Sequence, residues 1–312
     1  MKAVFLDADT LGNDVDLAPI EAVTGALVKY GRTAPEQVLE RIRGFDTVLT
    51  NKVVLTRDHF AACPELATIA VVATGLNNID QVVAKEHGIR VMNVVNYGRS
   101  TVAQHTMALI LALATRLLDY DRDVRSGRWG RSDMFCLMDH PILELEGRTL
   151  GVVGYGDLGQ GVVERAKAFG MKILLGARPG QPAGEVDGYQ RLPLDELLPR
   201  VDVLSLHCLL TEDTRNMIGA RELARMKRDA LLINTSRGGL VDEQALADAL
   251  RNGVIGGAGF DVLTEEPPRN GNPLLADDIP NLIITPHSAW ASREARQRIV
   301  GITAANLAAV AG

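Results

Sequence analysis

Cysteine is scarce in this 312-residue chain: Cys63, Cys136 and Cys208 are odd in number and share no metal-ligand spacing. That argues against a disulfide framework and leaves reduced thiols, so a cytoplasmic setting is expected. The six histidines include no His-x-x-x-His or similar pair, and no metal site is expected. Basic runs and basic–aromatic stripes are also missing, and the net charge is -6, which argues against a nucleic-acid or anionic-membrane partner. No apolar run reaches the roughly 18 residues that a membrane span needs. The first segment, Met1 to Asp7, is charged too early for a secretory signal.

What is present is an ordinary globular balance, 46% hydrophobic and 23% charged, over a length that accommodates two domains. Short apolar runs of strand length lie at residues 4–6, 48–50, 69–73 and 91–93, with helical patterns at 35–43 and 79–87 between them. This alternation predicts parallel β-α-β units. A long apolar-rich helix is expected over 101–125, which contains no Pro or Gly. A second series follows, with strands expected at 150–153, 172–175, 203–206, 230–234, 257–260 and 282–285. Six strands in one parallel series fit a doubly wound dinucleotide-binding sheet. The Pro- and Gly-rich stretch 176–188 is expected to be a surface loop, and 292–311 a final helix. The fold class expected is therefore α/β with two Rossmann-like domains. A flavodoxin-like substrate domain covers residues 1–100 and 286–312, and a dinucleotide-binding domain covers 101–285.

Gly154-x-Gly156-x-x-Gly159 follows the apolar strand at 150–153 and opens a helical stretch. In that context the glycines allow a tight turn, close approach of backbone to a pyrophosphate, and close helix–strand packing. The loop, including Asp157 and Leu158, would place the pyrophosphate at a helix N-terminus, where free N–H groups favour anions. An acidic residue that binds the ribose 2′-hydroxyl is expected near position 177, but Ala177 and Arg178 stand there. Arg178 can pair with a 2′-phosphate, so the cofactor expected is NADP(H) in preference to NAD(H), with use of both open.

Three further segments place an arginine, a carboxylate and a histidine downstream of that loop: Asn234 to Gly239, Asp261 to Pro267 and Thr285 to Trp290. Arg237 follows a strand at the carboxyl end of the sheet, where such folds bind ligands. Its fork can grip a carboxylate with two parallel hydrogen bonds. Glu266 lies in a turn before a Pro-Pro pair, and His287 follows a strand and a proline. A carboxylate-backed histidine moves a proton near neutral pH, and a nicotinamide moves a hydride. Together these are the requirements for reducing a 2-oxo acid. Glu265 reads as a solvated neighbour. His59 and His87 read as surface positions, His105 as a packed helix residue, His140 as a loop residue, and His207 as a strand-end residue near the cofactor.

The sequence resembles the D-isomer-specific 2-hydroxyacid dehydrogenase family over nearly its whole length. The resemblance rests on Val72 to Asp80, Val102-Ala103-Gln104-His105, the glycine loop, Leu206-His207-Cys208 and the three segments above. Within the family it is most similar to glycerate dehydrogenases, also called hydroxypyruvate reductases, through Thr50-Asn51-Lys52, Ala73-Thr74-Gly75 and the segment from Gly127 to Pro141. The resemblance implies reduction of hydroxypyruvate or glyoxylate to D-glycerate or glycolate. It implies Arg237 as substrate binder, His287 as acid/base and Glu266 as the group that orients and charges it. It further implies Ala73, Thr74, Gly75 and Trp290 at the substrate, and Thr101, His207, Thr235 and Asp261 at the cofactor, with Asp261 holding the carboxamide. A homodimer is implied as well. Leu209 departs from the family's usual proline after His207-Cys208. Two alternatives are carried: a nicotinamide-sensing corepressor-type binding protein, and a dehydrogenase for a larger 2-oxo acid. A formate dehydrogenase is disfavoured by Glu266, where glutamine is expected. A phosphohydrolase based on Asp7-Ala8-Asp9 is disfavoured by Thr10-Leu11, where that motif calls for Gly then Thr.

Overall fold

The computed structural model describes residues 1–311. It divides into two compact units, one of residues 1–98 and 291–312, the other of residues 99–290. The chain returns to the first unit only after Trp290, because Asp261 holds residues 287–289 to the second by hydrogen bonds.

The first unit contains five strands: β1 (Lys2–Phe5), β2 (Ala26–Lys29), β3 (Thr47–Thr50), β4 (Thr68–Val71) and β5 (Arg90–Met92). They form one parallel sheet in the order β2-β1-β3-β4-β5, the flavodoxin-like order. Val4, Val48, Ile69 and Val71 supply its buried core, together with Val38, Ile42, Phe60 and Val83 from the flanking helices. Strand β2 is not among the expected strands; its short apolar run Ala26-Leu27-Val28 lies at the sheet edge and buries little surface.

The second unit holds β6 (Thr149–Val153), β7 (Lys172–Ala177), β8 (Gly184–Val186), β9 (Tyr189–Pro193), β10 (Val203–Leu206), β11 (Leu231–Asn234), β12 (Gly257–Phe260) and β13 (Leu282–Ile284). The order is β13-β12-β11-β10-β6-β7-β9-β8, and every pairing is parallel except β8 with β9. Strands β6, β7, β9, β10, β11 and β12 reproduce the doubly wound dinucleotide-binding order. The β10, β11 and β12 strands are buried along their full length, with Ser205 and Asn234 their only polar residues, as parallel strands covered on both faces are.

Two expectations about elements are corrected. The stretch 176–188 is not simply a loop: it contains the end of β7 and all of β8. Asp187 and Gly188 both have positive φ, 51° and 79°, the signature of the two-residue turn that matches strand twist. That Asp-Gly pair was the available signal. The long helix expected over 101–125 is two helices, Arg99–Ala114 and Leu117–Arg125, bent by 58°. Arg116, at φ 53°, makes the break, and its side chain pairs with Asp119 at 2.6 Å. The first helix buries Ala103, Met107, Ile110 and Leu113 in the core, whereas the second has no buried residue. Burial ends where the core ends, and neither Pro nor Gly announces it. Among the described residues no single helix is long and apolar enough to cross a membrane.

Candidate active site

The carboxyl ends of β6, β11, β12 and β13 carry the residues singled out in the sequence. After β6, Gly154 turns the chain at φ 99°, and a Cβ there would lie 2.5 Å from the backbone N of Cys208. A Cβ on Gly159 would lie 2.1 Å from the Gly154 carbonyl oxygen, so this glycine permits the helix Asp157–Ala168 to pack onto the strand end. Gly156 differs: a Cβ there would meet nothing within 4 Å. Its lack of a side chain serves no packing inside the chain and leaves the backbone at the helix N-terminus open to a ligand. Asp157 turns to Arg99, at 3.1 Å.

Ala177 ends β7 and is buried, while Arg178 beside it is exposed. At the end of β10, the His207 Nε2 lies 2.8 Å from Ser205 Oγ, while its Nδ1 is buried with no partner among the described residues. Burial pushes the ring pKa down to about 4. A neutral ring with one unsatisfied nitrogen fits a nucleotide polar group, and with open Gly156 it makes this edge suited to a dinucleotide. Exposed Leu209 follows it.

Beyond β11 the chain forms a tight turn. The Ser236 N–H donates to Asn234 Oδ1 at 3.1 Å, and the Asn234 amide donates to the Arg237 carbonyl at 2.8 Å. Gly238 is the residue that sequence reasoning missed. A Cβ there would lie 2.0 Å from the Leu263 carbonyl carbon, so glycine lets the arginine turn press against the turn that follows β12. The contact brings Arg237 close enough for its charge to act on Glu266. Thr235 is buried and its hydroxyl lies 3.1 Å from that of Thr106.

Glu266 is held at both oxygens. Oε1 accepts the Leu263 N–H at 2.8 Å, and Oε2 lies 2.6 Å from His287 Nδ1. Burial works to raise the pKa of Glu266. The His287 hydrogen bond, the Leu263 N–H and the charge of Arg237 outweigh it and hold the carboxyl below its ordinary value. Glu265 instead bonds Asn270 at the surface. His287 stands in the left-handed region at φ 53°. Beneath it Asp261, 1% exposed, accepts from Thr285 Oγ1 at 2.5 Å and from the backbone N–H groups of Ser288 and Ala289, each at 2.9 Å. Thr101 donates to the Ala289 carbonyl at 2.9 Å, and Trp290 is partly buried beyond it.

In the first unit, Ala73, Thr74 and Gly75 follow β4. Thr74 is fixed by its hydroxyl on the Val94 carbonyl at 2.8 Å and by the Asn93 amide on its own carbonyl at 2.7 Å. Asp7, the centre of the phosphohydrolase alternative, is buried and accepts the backbone N–H groups of Asn51 and Lys52 at 2.8 and 2.7 Å. It is a loop clamp. Of the remaining histidines, His59 caps its helix at Thr56, and His140 bonds Asp123 at 3.0 Å. No group of three or more metal-ligating side chains occurs among the described residues.

A doubly wound sheet with a bare glycine loop, and a histidine–carboxylate pair beside an arginine on the same edge, define a dinucleotide-dependent dehydrogenase. The profile of the D-isomer specific 2-hydroxyacid dehydrogenase NAD-binding domain matches residues 107–289. The chain is 46% identical to glycerate dehydrogenase of Methylorubrum extorquens, over 95% of this chain and 91% of that one. It is 39% identical to hydroxypyruvate reductase of Blautia hydrogenotrophica, over 98% and 96%. Among solved structures it resembles a Thermus thermophilus protein at TM-score 0.85 and 34% identity, covering 99% and 96%. It also resembles an acyclic imino acid reductase in complex with NADPH and D-Arg, at TM-score 0.81 and 30% identity, covering 96% and 94%. This chain belongs to the D-isomer-specific 2-hydroxyacid dehydrogenase family, and its cofactor is a nicotinamide dinucleotide.

Proposed function

We propose that the chain reduces a small 2-oxo acid, hydroxypyruvate or glyoxylate, to the D-2-hydroxy acid. The observation that carries this is the 2.6 Å contact of His287 Nδ1 with Glu266 Oε2, on the same sheet edge as Arg237 and the glycine loop. With Nδ1 committed to Glu266, His287 Nε2 is the nitrogen that gives a proton to the carbonyl oxygen. The adjacent carboxylate stabilises the imidazolium required before transfer. Arg237 binds the substrate carboxylate and polarises the carbonyl. A nicotinamide, when bound, would supply the hydride for reduction at carbon. Gly154, Gly156, Asp157, Leu158 and Gly159 would hold its pyrophosphate through backbone N–H groups. His207 Nδ1, Thr101, Thr235 and Asp261 would contribute polar contacts to it, and Trp290 would line the substrate side.

In the first unit, residues 73–75 form a backbone nest for a carboxylate. Thr74 and Gly75 N–H groups support this, since neither has an acceptor among the described residues. The first unit thus acts as the substrate domain and the second as the dinucleotide domain. Exposed Arg178 beside Ala177 supports a preference for NADP(H). Exposed Phe135, Met138 and Leu117, at 85%, 76% and 58%, support a homodimer formed through the segment 117–142. Three unpaired thiols support a cytoplasmic location.

The test is oxidation of NADH and NADPH with hydroxypyruvate, glyoxylate and pyruvate, in the parent chain and in His287→Asn. Turnover strongest on hydroxypyruvate is expected, with a loss in the variant of about 10²–10⁴. Tight nicotinamide binding with no turnover on any acid would move the weight to a sensor.

A further inference from the structure

Beneath the histidine–glutamate pair lies a second histidine that the mechanism does not use. His105 sits on the helix Arg99–Ala114, with its side chain 22% exposed. Its Nε2 is 2.9 Å from Thr285 Oγ1 and 3.5 Å from Asp261 Oδ1. Thr101, one helical turn earlier on the same face, bonds the Ala289 carbonyl. Two side chains of one helix thus grip both ends of the segment 285–289 that carries His287. That segment needs gripping. A non-glycine residue in the left-handed region is strained and persists only where its surroundings over-determine it. The Asp261 carbonyl and carboxylate together take the backbone N–H groups of His287, Ser288 and Ala289.

The direction of the hydrogen bonds follows from donor counting. Thr285 has one hydroxyl proton and gives it to Asp261 Oδ1 at 2.5 Å. Its oxygen therefore faces His105 as an acceptor, and His105 Nε2 carries the hydrogen. Among the described residues, no other Lys, Arg or His nitrogen comes within 4.0 Å of the Asp261 carboxylate.

We propose that His105 is a positioning residue for His287, acting through Thr285 and Asp261 to fix the left-handed backbone that aims the imidazole at Glu266. The proposal rests on the assignment of His287 as the proton donor. His105 touches neither substrate nor cofactor in this role; it supplies one N–H to a chain that ends at the His287 backbone.

The test compares His105→Leu, His105→Gln, Thr285→Val and the double variant His105→Leu/Thr285→Val in the full chain. A misplaced proton donor costs roughly ten- to a hundred-fold in kcat, and that loss is expected in His105→Leu with KM for the 2-oxo acid nearly unchanged. Gln should restore most of it, because its amide N–H reaches the Thr285 oxygen. The double variant should be no worse than the worse single one, since both cut the same chain. In parallel, the imidazole titration of His287 followed by NMR should shift in His105→Leu and return in His105→Gln. Wild-type kcat in His105→Leu, equal losses with Leu and Gln, or losses that multiply in the double variant would each overturn the proposal. If His105→Leu does not fold, His105→Gln and Thr285→Val decide: near-parent kcat in the first with loss in the second supports the relay, and any other pattern refutes it. The NMR titration needs no turnover, so it tests the relay even if the parent chain reduces none of the acids tried.

Discussion

His287 Nδ1 and Glu266 Oε2 lie 2.6 Å apart, although 21 residues separate them in sequence and each side chain is 34% exposed. In the proposed reduction His287 donates a proton, and the neighbouring negative charge favours its protonated form. Glu266→Gln removes the charge while keeping the shape. The protonated imidazole loses that support, and the alkaline limb of the kcat/KM profile should move to lower pH. A pH–rate profile of both proteins measures this; an unmoved limb would separate Glu266 from the proton step. Glu266 itself is held below its ordinary value of 4.5. Its stabilising contribution is therefore present above that value and lost as pH falls through the lower folded one.

The glycine loop separates folding from binding. A methyl group at Gly159 would lie 2.1 Å from the Gly154 carbonyl oxygen, so Gly159→Ala should lower the melting temperature. At Gly156 the same methyl meets no protein atom within 4 Å. Gly156→Ala should melt like the parent but bind NAD(P)H about tenfold or more weakly, because the methyl occupies the anion's approach. Titration of nicotinamide fluorescence alongside thermal melts checks both; parent-like affinity in Gly156→Ala would remove the pyrophosphate from this loop.

His207 makes a pH-dependent contribution to stability with a definite sign. Burial lowers its pKa from 6.5 to about 4. Between those values the unfolded chain binds a proton that the folded chain does not, so stability rises with pH across the window and is lost as pH falls through it. At about 1.4 kcal/mol per unit, the contribution is at most about 3–4 kcal/mol. Urea melts at pH 4.5 and 7 should show a smaller difference in His207→Asn than in the parent; equal differences would mean the ring is protonated in the folded state.

At the end of β7, Ala177 offers no side-chain oxygen, and exposed Arg178 beside it is the group proposed to select the cofactor. Arg178→Ala should weaken NADPH by about tenfold, the value of a charge-assisted hydrogen bond, and leave NADH nearly unchanged. Dissociation constants for both cofactors decide it; equal losses would make Arg178 a general anion contact.

Much of this protein is written locally in its chain. The Gly154, Gly156 and Gly159 spacing is legible because the turn, the anion approach and the packing contact are all made within one strand–helix unit. The β10 to β12 strands are legible because burial on both faces keeps them free of charge and nearly free of polar side chains. Arg237, Glu266 and His287 could be singled out by residue type and by their place after strands. Tertiary structure decided the rest. No local pattern encodes the bend at Arg116, which falls where core packing stops. The edge position of β2 is likewise set by sheet order, since its Ala26-Leu27-Val28 run alone does not say that the strand buries little. The pairing of Glu266 with His287 depends on two separate turns meeting, and Gly238 permits the arginine turn to press against one of them. The left-handed backbone of His287 is held by Asp261 from one strand end and by His105 and Thr101 from a distant helix. Such contacts are set by the packing of whole elements, so only the folded chain shows them.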